Sequence, residues 1–234
     1  MAGRVAYNGG IVVNGLTLNI DAAKRASYPG TGTVAFDTSP ASTNCTLSTP
    51  GILSTPLPPH FNQTVTIPSV TTTRGLGGQS GTIDLWFQNK VDRPFNGNGG
   101  AQSILFGSFN TSIWIYRNDY FGLNQYWVVS YYTGGGGSVT TSVVFTTNVW
   151  YNVVVTLNSD GQYAHYRNGT TLASGTAPSF TSWGGFNSTY TVGNGLGTGN
   201  MGVGGVKMYN RFLTSTEVLQ NYNAVKSRYG LWVQ

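Results

Sequence analysis

From Gly81 onward, apolar and polar positions alternate along the chain with a period of two. Ile83, Leu85 and Phe87 alternate with Asp84 and Trp86, and similar runs follow at 103–109, 112–116, 126–132, 139–145, 150–157 and 162–166. Successive side chains of an extended strand point to opposite faces, so each run reads as a strand with one buried face. The runs are rich in Val, Ile, Tyr and Trp and are bounded by Gly, Asn or Asp, with a strand roughly every ten residues. Ser159-Asp160-Gly161 and Asn168-Gly169 are hairpin turns, because these residues tolerate the positive φ such turns need. The period changes near the C-terminus. Thr214-x-x-Glu217 reads as a capping box, with Leu213 and Val218 at the staple positions. Val218, Tyr222 and Val225 make one apolar stripe, Lys226 and Arg228 complement the dipole, and Gly230 stops the helix. The pattern predicts an all-β sandwich closed by one amphipathic helix, the helix lying on an edge or end of the sheets.

The chain before Gly81 has a different texture. Residues 1–15 form a Gly-rich N-terminal arm, expected to pair with a neighbouring subunit. Leu16, Leu18 and Ile20 then alternate, Asp21 caps a turn through Ala22–Arg25, and Tyr28-Pro29-Gly30 ends it. Residues 37–80 hold six of the nine prolines among many Ser and Thr, and read as an insertion running over the surface with one or two strands, such as Val65-Thr66-Ile67. Neither side of that segment completes a core alone, so residues 1–234 read as a single domain.

Only 8% of the 234 residues are charged, against roughly 25% in an ordinary domain. Neutral Thr, Ser and Asn supply the polar surface. The net charge of +5 is scattered, and its densest group, Lys207, Arg211, Lys226 and Arg228, is no basic stripe, so a nucleic-acid partner is not expected. No apolar stretch is long enough for a membrane-spanning helix. The N-terminal residues lack an apolar signal core. Cys45 is the sole cysteine, which excludes an internal disulfide and fits a small buried side chain made in a reducing cytoplasm. The five Asn-x-Ser/Thr triplets are about as many as this composition gives by chance, and are no sign of glycosylation. The four-glycine run 134–137 lacks the Lys-Ser/Thr and helix start of a phosphate cradle.

Several segments resemble the concanavalin A-like, laminin-G-like superfamily. They are the strand-and-hairpin run from Trp150 to Gly169, and the closing run Gly205-Val206-Lys207-Met208-Tyr209-Asn210-Arg211-Phe212-Leu213-Thr214 with Glu217-Val218-Leu219-Gln220-Asn221-Tyr222. The opening, from Gly15 to Ala23 and then Ser27-Tyr28-Pro29-Gly30, is similar to the start of such domains in tailed bacteriophage virion proteins, notably cyanophage ones. The resemblance implies a jelly-roll sandwich of two antiparallel sheets. It also implies a non-enzymatic virion component: capsid decoration or cement, head fibre or tail. Such a component would be assembled in the host cytoplasm with other virion proteins, as a homo-oligomer, a trimer for instance. The alternative is a carbohydrate-binding adhesin that meets a host-surface glycan. Relatives carry Trp-x-Asp-x-Ser-Gly-x-Gly-Asn after the Pro-Gly. Here Thr33-Val34-Ala35-Phe36-Asp37-Thr38-Ser39-Pro40 replaces it, and any contact made by that loop is lost.

Catalysis has few residues to draw on. Glycoside hydrolysis needs two opposed carboxylates, which related glucanases place in a Glu-x-Asp-x-x-Glu strand. This chain has one glutamate, Glu217, already read as a helix cap, and Asp84 stands alone. His60 sits in a proline-rich stretch, and His165, mid-strand between Ala164 and Tyr166, reads as a packed or solvent-facing strand residue rather than a triad base. With Cys45 they do not make a zinc site. No catalytic residue, metal ligand or cofactor is therefore assigned, calcium being the weak exception through Asp92, Asp119 and Asp160. Aromatics carry the remaining signal. Trp114, Tyr116, Tyr120, Phe121, Tyr126, Trp127, Tyr131 and Tyr132 fall within 19 residues. Alternation buries about half of such a set, and an exposed remainder stacks on sugar rings or anchors a protein interface. Trp114, Tyr116, Tyr120, Trp127 and Tyr131 are the candidate interface or sugar-stacking residues.

Overall fold

The computed structural model describes residues 10–48, 60–61, 65–67, 80–90, 102–106, 113–118, 125–133, 137–179, 181–183, 190–192 and 201–230. The strands in chain order are β1 (Leu16–Asp21), β2 (Val34–Ala35), β3 (Cys45–Leu47), β4 (Val65–Ile67), β5 (Gly81–Asn89), β6 (Gln102–Phe106), β7 (Ile113–Asn118) and β8 (Gln125–Thr133). They continue with β9 (Ser138–Val144), β10 (Trp150–Leu157), β11 (Gln162–Arg167), β12 (Thr170–Thr176), β13 (Ser182–Trp183), β14 (Tyr190–Val192) and β15 (Met201–Tyr209). Helix α1 (Ser215–Val225) and a 3-10 turn, Lys226–Tyr229, end the described chain.

Two antiparallel sheets face each other, as the jelly-roll reading requires. One has the order β1-β15-β5-β10-β11-β12; the other runs β13-β8-β7-β6-β14-β4-β3-β2, with β9 also on β8. Between them lies the main core. Leu18, Ile20, Ile83, Leu85, Phe87, Val153, Val155 and Met208 come from the first sheet, and Ala35, Leu47, Val65, Ile115, Val128 and Tyr190 from the second.

The middle of the first sheet is buried on its other face too. Every residue of β10 and β15 is buried. Helix α1 lies across that outer face, where Val218 and Leu213 join Val154, Ala164, Tyr166 and Tyr209. This corrects the expectation of a helix at an edge or end. The outer face carries too much apolar surface to meet water, and the helix stripe is what covers it. The 3-10 turn is seated by aromatic rings, Tyr229 stacking on Trp86 with centroids 4.3 Å apart. Gly204 lies beneath Tyr229, and a Cβ there would overlap the ring. A polar network crosses the same face. Asp84 receives Asn152 Nδ2 at 2.7 Å, Asn221 Nδ2 at 3.3 Å and Lys207 Nζ at 3.4 Å, so the buried carboxylate is paired and hydrogen-bonded.

Two further expectations change. Residues 10–14 of the arm are held by their own chain: Val12 N–H donates to Asn221 Oδ1 at 2.8 Å, and Val12 C=O accepts from Tyr209 OH at 3.1 Å. Their apolar side chains have a helix beside them to pack on, and residues 1–9 lie outside the described set. The described part of 37–80 carries the one or two strands expected of it, Val65–Ile67 among them, but is built into the second sheet rather than laid over the surface. It supplies β3 and β4 to the second sheet and buries Cys45, Leu47, Phe61 and Val65. Asp37 is buried there as well, accepting from Asn19 N, Ser39 N and Thr43 N.

Candidate binding site

The register of β7, β8 and β9 locates the aromatic candidates. Ile115 pairs with Val128, and both are buried in the core. Residues directly opposite one another in an antiparallel pair share a face, and neighbours along a strand do not. Positions 114 and 116 on β7, and 127, 129 and 131 on β8, therefore belong to the outer face of the sheet. Across the next pairing, Ser142 stands opposite Trp127, Thr140 opposite Val129 and Ser138 opposite Tyr131. Ser138, Thr140 and Ser142 are exposed, while Val139 and Val143, on the other parity, are buried. Trp114, Tyr116, Trp127 and Tyr131 thus occupy register positions on one face, bordered by a row of exposed hydroxyls. Tyr126 and Tyr132 fall on the inward parity. Tyr120 and Phe121 lie outside the described residues.

A concavity lies on the other sheet. A groove of about 530 Å³ runs along β11 and β12 to the start of α1, lined by Tyr163, Tyr166, Phe212, Ser174 and Thr214 among others and by no charged side chain. Nothing in the alternation pointed to it, because Leu172 and Ala173 are the only apolar side chains among the Thr, Ser and Gly of β12.

The described carboxylates are engaged in holding the fold, apart from the exposed Asp160. Asp84 and Asp37 are the buried acids described above. Asp21 is bound by Arg228 at 2.5 Å, and Glu217 by Arg211 at 2.6 Å. The Arg211 guanidinium, with the Thr214 N–H, holds the Glu217 carboxyl down at about 2. No two of these acids face each other across open space. His165 is fully buried. Its Nε2 lies 3.0 Å from Ser130 Oγ and its Nδ1 2.8 Å from Thr141 Oγ1, a bridge between the sheets. Burial lowers its pKa to about 3. A serine and a histidine are thus in contact, but the third partner is a threonine. His60, also buried, packs edge-on against Trp150 with Lys90 Nζ at 2.6 Å from its Nε2.

Metal and nucleic-acid chemistry find little here. Among the described residues no three His, Cys, Asp or Glu side chains converge as a metal site. Asp92 and Asp119 lie outside that set. Of the four clustered cations, Lys207, Arg211 and Arg228 are paired with Asp84, Glu217 and Asp21, and Lys226 lies over the Tyr222 ring. No described helix is long and apolar enough to cross a membrane.

Two antiparallel sheets closed over one core, with the helix covering the back of the first, make this a jelly-roll sandwich of the lectin kind. The profile of the concanavalin A-like lectin/glucanases superfamily, Laminin_G_3, matches residues 61–219, and the chain belongs to that family. No curated protein sequence matches it. Among solved structures it is similar to the binding domain of botulinum neurotoxin DC in complex with rat synaptotagmin II, with TM-score 0.66 and 15% identity over 92% of this chain and 52% of that one. The binding domain of the same toxin in complex with SialylT gives TM-score 0.66 and 14% identity over 90% and 52%. Trypanosoma rangeli sialidase in complex with the inhibitor DANA gives TM-score 0.62 and 15% identity over 91% and 33%. The chain thus spans about half the length of the toxin domains and a third of the sialidase. At these identities the likeness is one of fold.

Proposed function

We propose that this chain is a non-enzymatic binding module serving as a structural protein of a tailed bacteriophage particle, in a decoration, head-fibre or tail position. One observation carries the binding part: four aromatic positions and three exposed hydroxyl residues share one sheet face by register. Rigid aromatic side chains give large contact area at low entropic cost, which suits a permanent contact with another virion protein or a second copy of this chain. The engagement of Asp21, Asp37, Asp84 and Glu217 within the fold supports a role without bond-breaking. The opening run from Gly15 to Gly30, similar to the start of phage virion domains, supports the particle setting.

A second reading has its own support. The hydroxyl row beside the aromatic positions offers neutral donors and acceptors next to stacking surfaces, the chemistry of glycan recognition, and two similar structures are a toxin binding domain with SialylT and a sialidase. On that reading the module is a host-attachment adhesin. Sedimentation of purified particles with antibody detection tests the first reading: the chain co-sediments and labels the shell or tail. A monomer absent from every particle fraction overturns it. A glycan screen tests the second, and binding that is lost in Trp127→Ala selects it.

A further inference from the structure

A cavity of about 300 Å³ lies on the back of the first sheet, apart from both the aromatic face and the β11–β12 groove. Its floor is built from Asn19 and Asp21 of β1 and Lys207 of β15, Asn19 and Lys207 being paired across the two strands. Its walls are the arm at Ile11, the turn at Lys24 and the end of the helical segment at Arg228. The lining holds three cations and one carboxylate. Asp21 Oδ2 is taken by Arg228 Nη1 at 2.5 Å. Lys207, its side chain only 7% exposed, reaches Asp84 at the long distance of 3.4 Å, which leaves ammonium protons to donate elsewhere. Lys24 is exposed at the rim and has no ion-pair partner among the described residues. Of the three lining cations only Lys24 has no ion pair among the described residues, Asp84 lying behind Lys207 and Asp37 behind Asn19. Ile11, Val13, Ala224 and Val225 make part of the wall apolar, where an ionic hydrogen bond is stronger than on open surface.

We propose that this cavity binds a small ligand bearing one oxyanion, a carboxylate, sulfate or phosphate, on a group no larger than a monosaccharide. The volume is at the lower end of small-molecule clefts, roughly 300–1,000 Å³. Lys24 and Lys207 hold the anion, and Asn19 and the apolar wall meet the remainder. The proposal does not depend on the aromatic face.

The test is an NMR titration of the ¹⁵N-labelled full chain at low ionic strength, where screening is weak. The probes are galacturonate, galactose and inorganic phosphate. Galacturonate is expected to shift the amides of Ala23, Lys24 and Arg228, leaving those of β7 and β8 unmoved. Galactose at the same concentration is expected to give less than a tenth of the shift. Lys24→Ala is expected to weaken galacturonate at least three-fold and Lys24→Glu at least ten-fold, both with unchanged thermal midpoints because Lys24 is exposed. Displacement of galacturonate by phosphate assigns the site to the oxyanion alone; silence from phosphate assigns it to an acidic sugar. Equal shifts from galactose, or full affinity in folded Lys24→Glu, overturn the proposal. Neither result bears on particle association or on the aromatic face.

Discussion

His165 is held between two hydroxyls in a place water does not reach, and that makes it a proton-linked weak point. Its pKa is about 3 when folded and near the ordinary 6.5 when the chain is unfolded. Below pH 6.5 the unfolded chain takes up a proton that the folded chain refuses, so stability falls with pH until about 3 and then levels. The slope approaches about 1.4 kcal/mol per pH unit for one proton. Urea denaturation at pH 6 and pH 5 is expected to show this loss in the native chain and a smaller one in His165→Asn; an identical loss in both would remove His165 as the cause. Glu217 titrates lower. Arg211 holds it at about 2 against an ordinary 4.5, so its contribution is complete above pH 4.5 and disappears as pH falls through 2. The stability gap between the native chain and Glu217→Gln is expected to be largest near pH 5 and to close towards pH 2.

At the scale of elements, the helix start rests on a few local bonds. Thr214 Oγ1 accepts from the Glu217 N–H at 3.3 Å, and the Glu217 carboxylate accepts from the Thr214 N–H at 2.9 Å. Thr214→Ala removes one half of this reciprocal cap and is expected to cost about 1 kcal/mol, a thermal shift of roughly 2–4 °C for a chain of this size. Because capping depends on residues three apart, this element was legible in the sequence down to its staple, Leu213 with Val218, both fully buried. Trp150–Leu157 was likewise legible as a strand from its Trp, Tyr and Val, broken only by Asn152 and Thr156. Where α1 rests was implied by that same run, since a strand buried along its whole length needs cover on both faces. Reading its side chains as one-faced led to the edge placement. β15 was hidden because three glycines interrupt its alternation. Gly204 is small so that Tyr229 can lie over it, a reason that exists only once the chain is folded. β4, Val65–Ile67, stood out in the sequence, whereas β3 was obscured by the Ser, Thr and Pro around it. Asn221 and Lys207 were read as helix and charge residues. Their burial around Asp84 depends on a partner 137 and 123 positions away, beyond the reach of any local pattern.

For the whole molecule, the two sheets do different work. The first has the core on one side and, over β10 and β15, α1, the arm and the aromatic stack on the other, while β11 and β12 border an open groove. The second has one face in the core and, by the register of β7 and β8, one turned outward, the face that the proposed function uses. Parity along β7 and β8 then separates stability from binding residue by residue. Ile115→Ala empties a fully buried position and is expected to cost about 2–5 kcal/mol. Trp114→Ala and Trp127→Ala, at outward positions, are expected to cost no more than about 1 kcal/mol, the worth of a cross-strand pair. Yet they are expected to weaken association with particles, or with a glycan, at least ten-fold. Thermal melts and binding measured on the same three variants check both halves. If the tryptophan variants unfold as Ile115→Ala does, the aromatic positions belong to a core and the second sheet has no binding face. If all three keep their binding, the molecule recognises its partner through another surface, and the uncharged groove along β11 and β12 becomes the next place to cut.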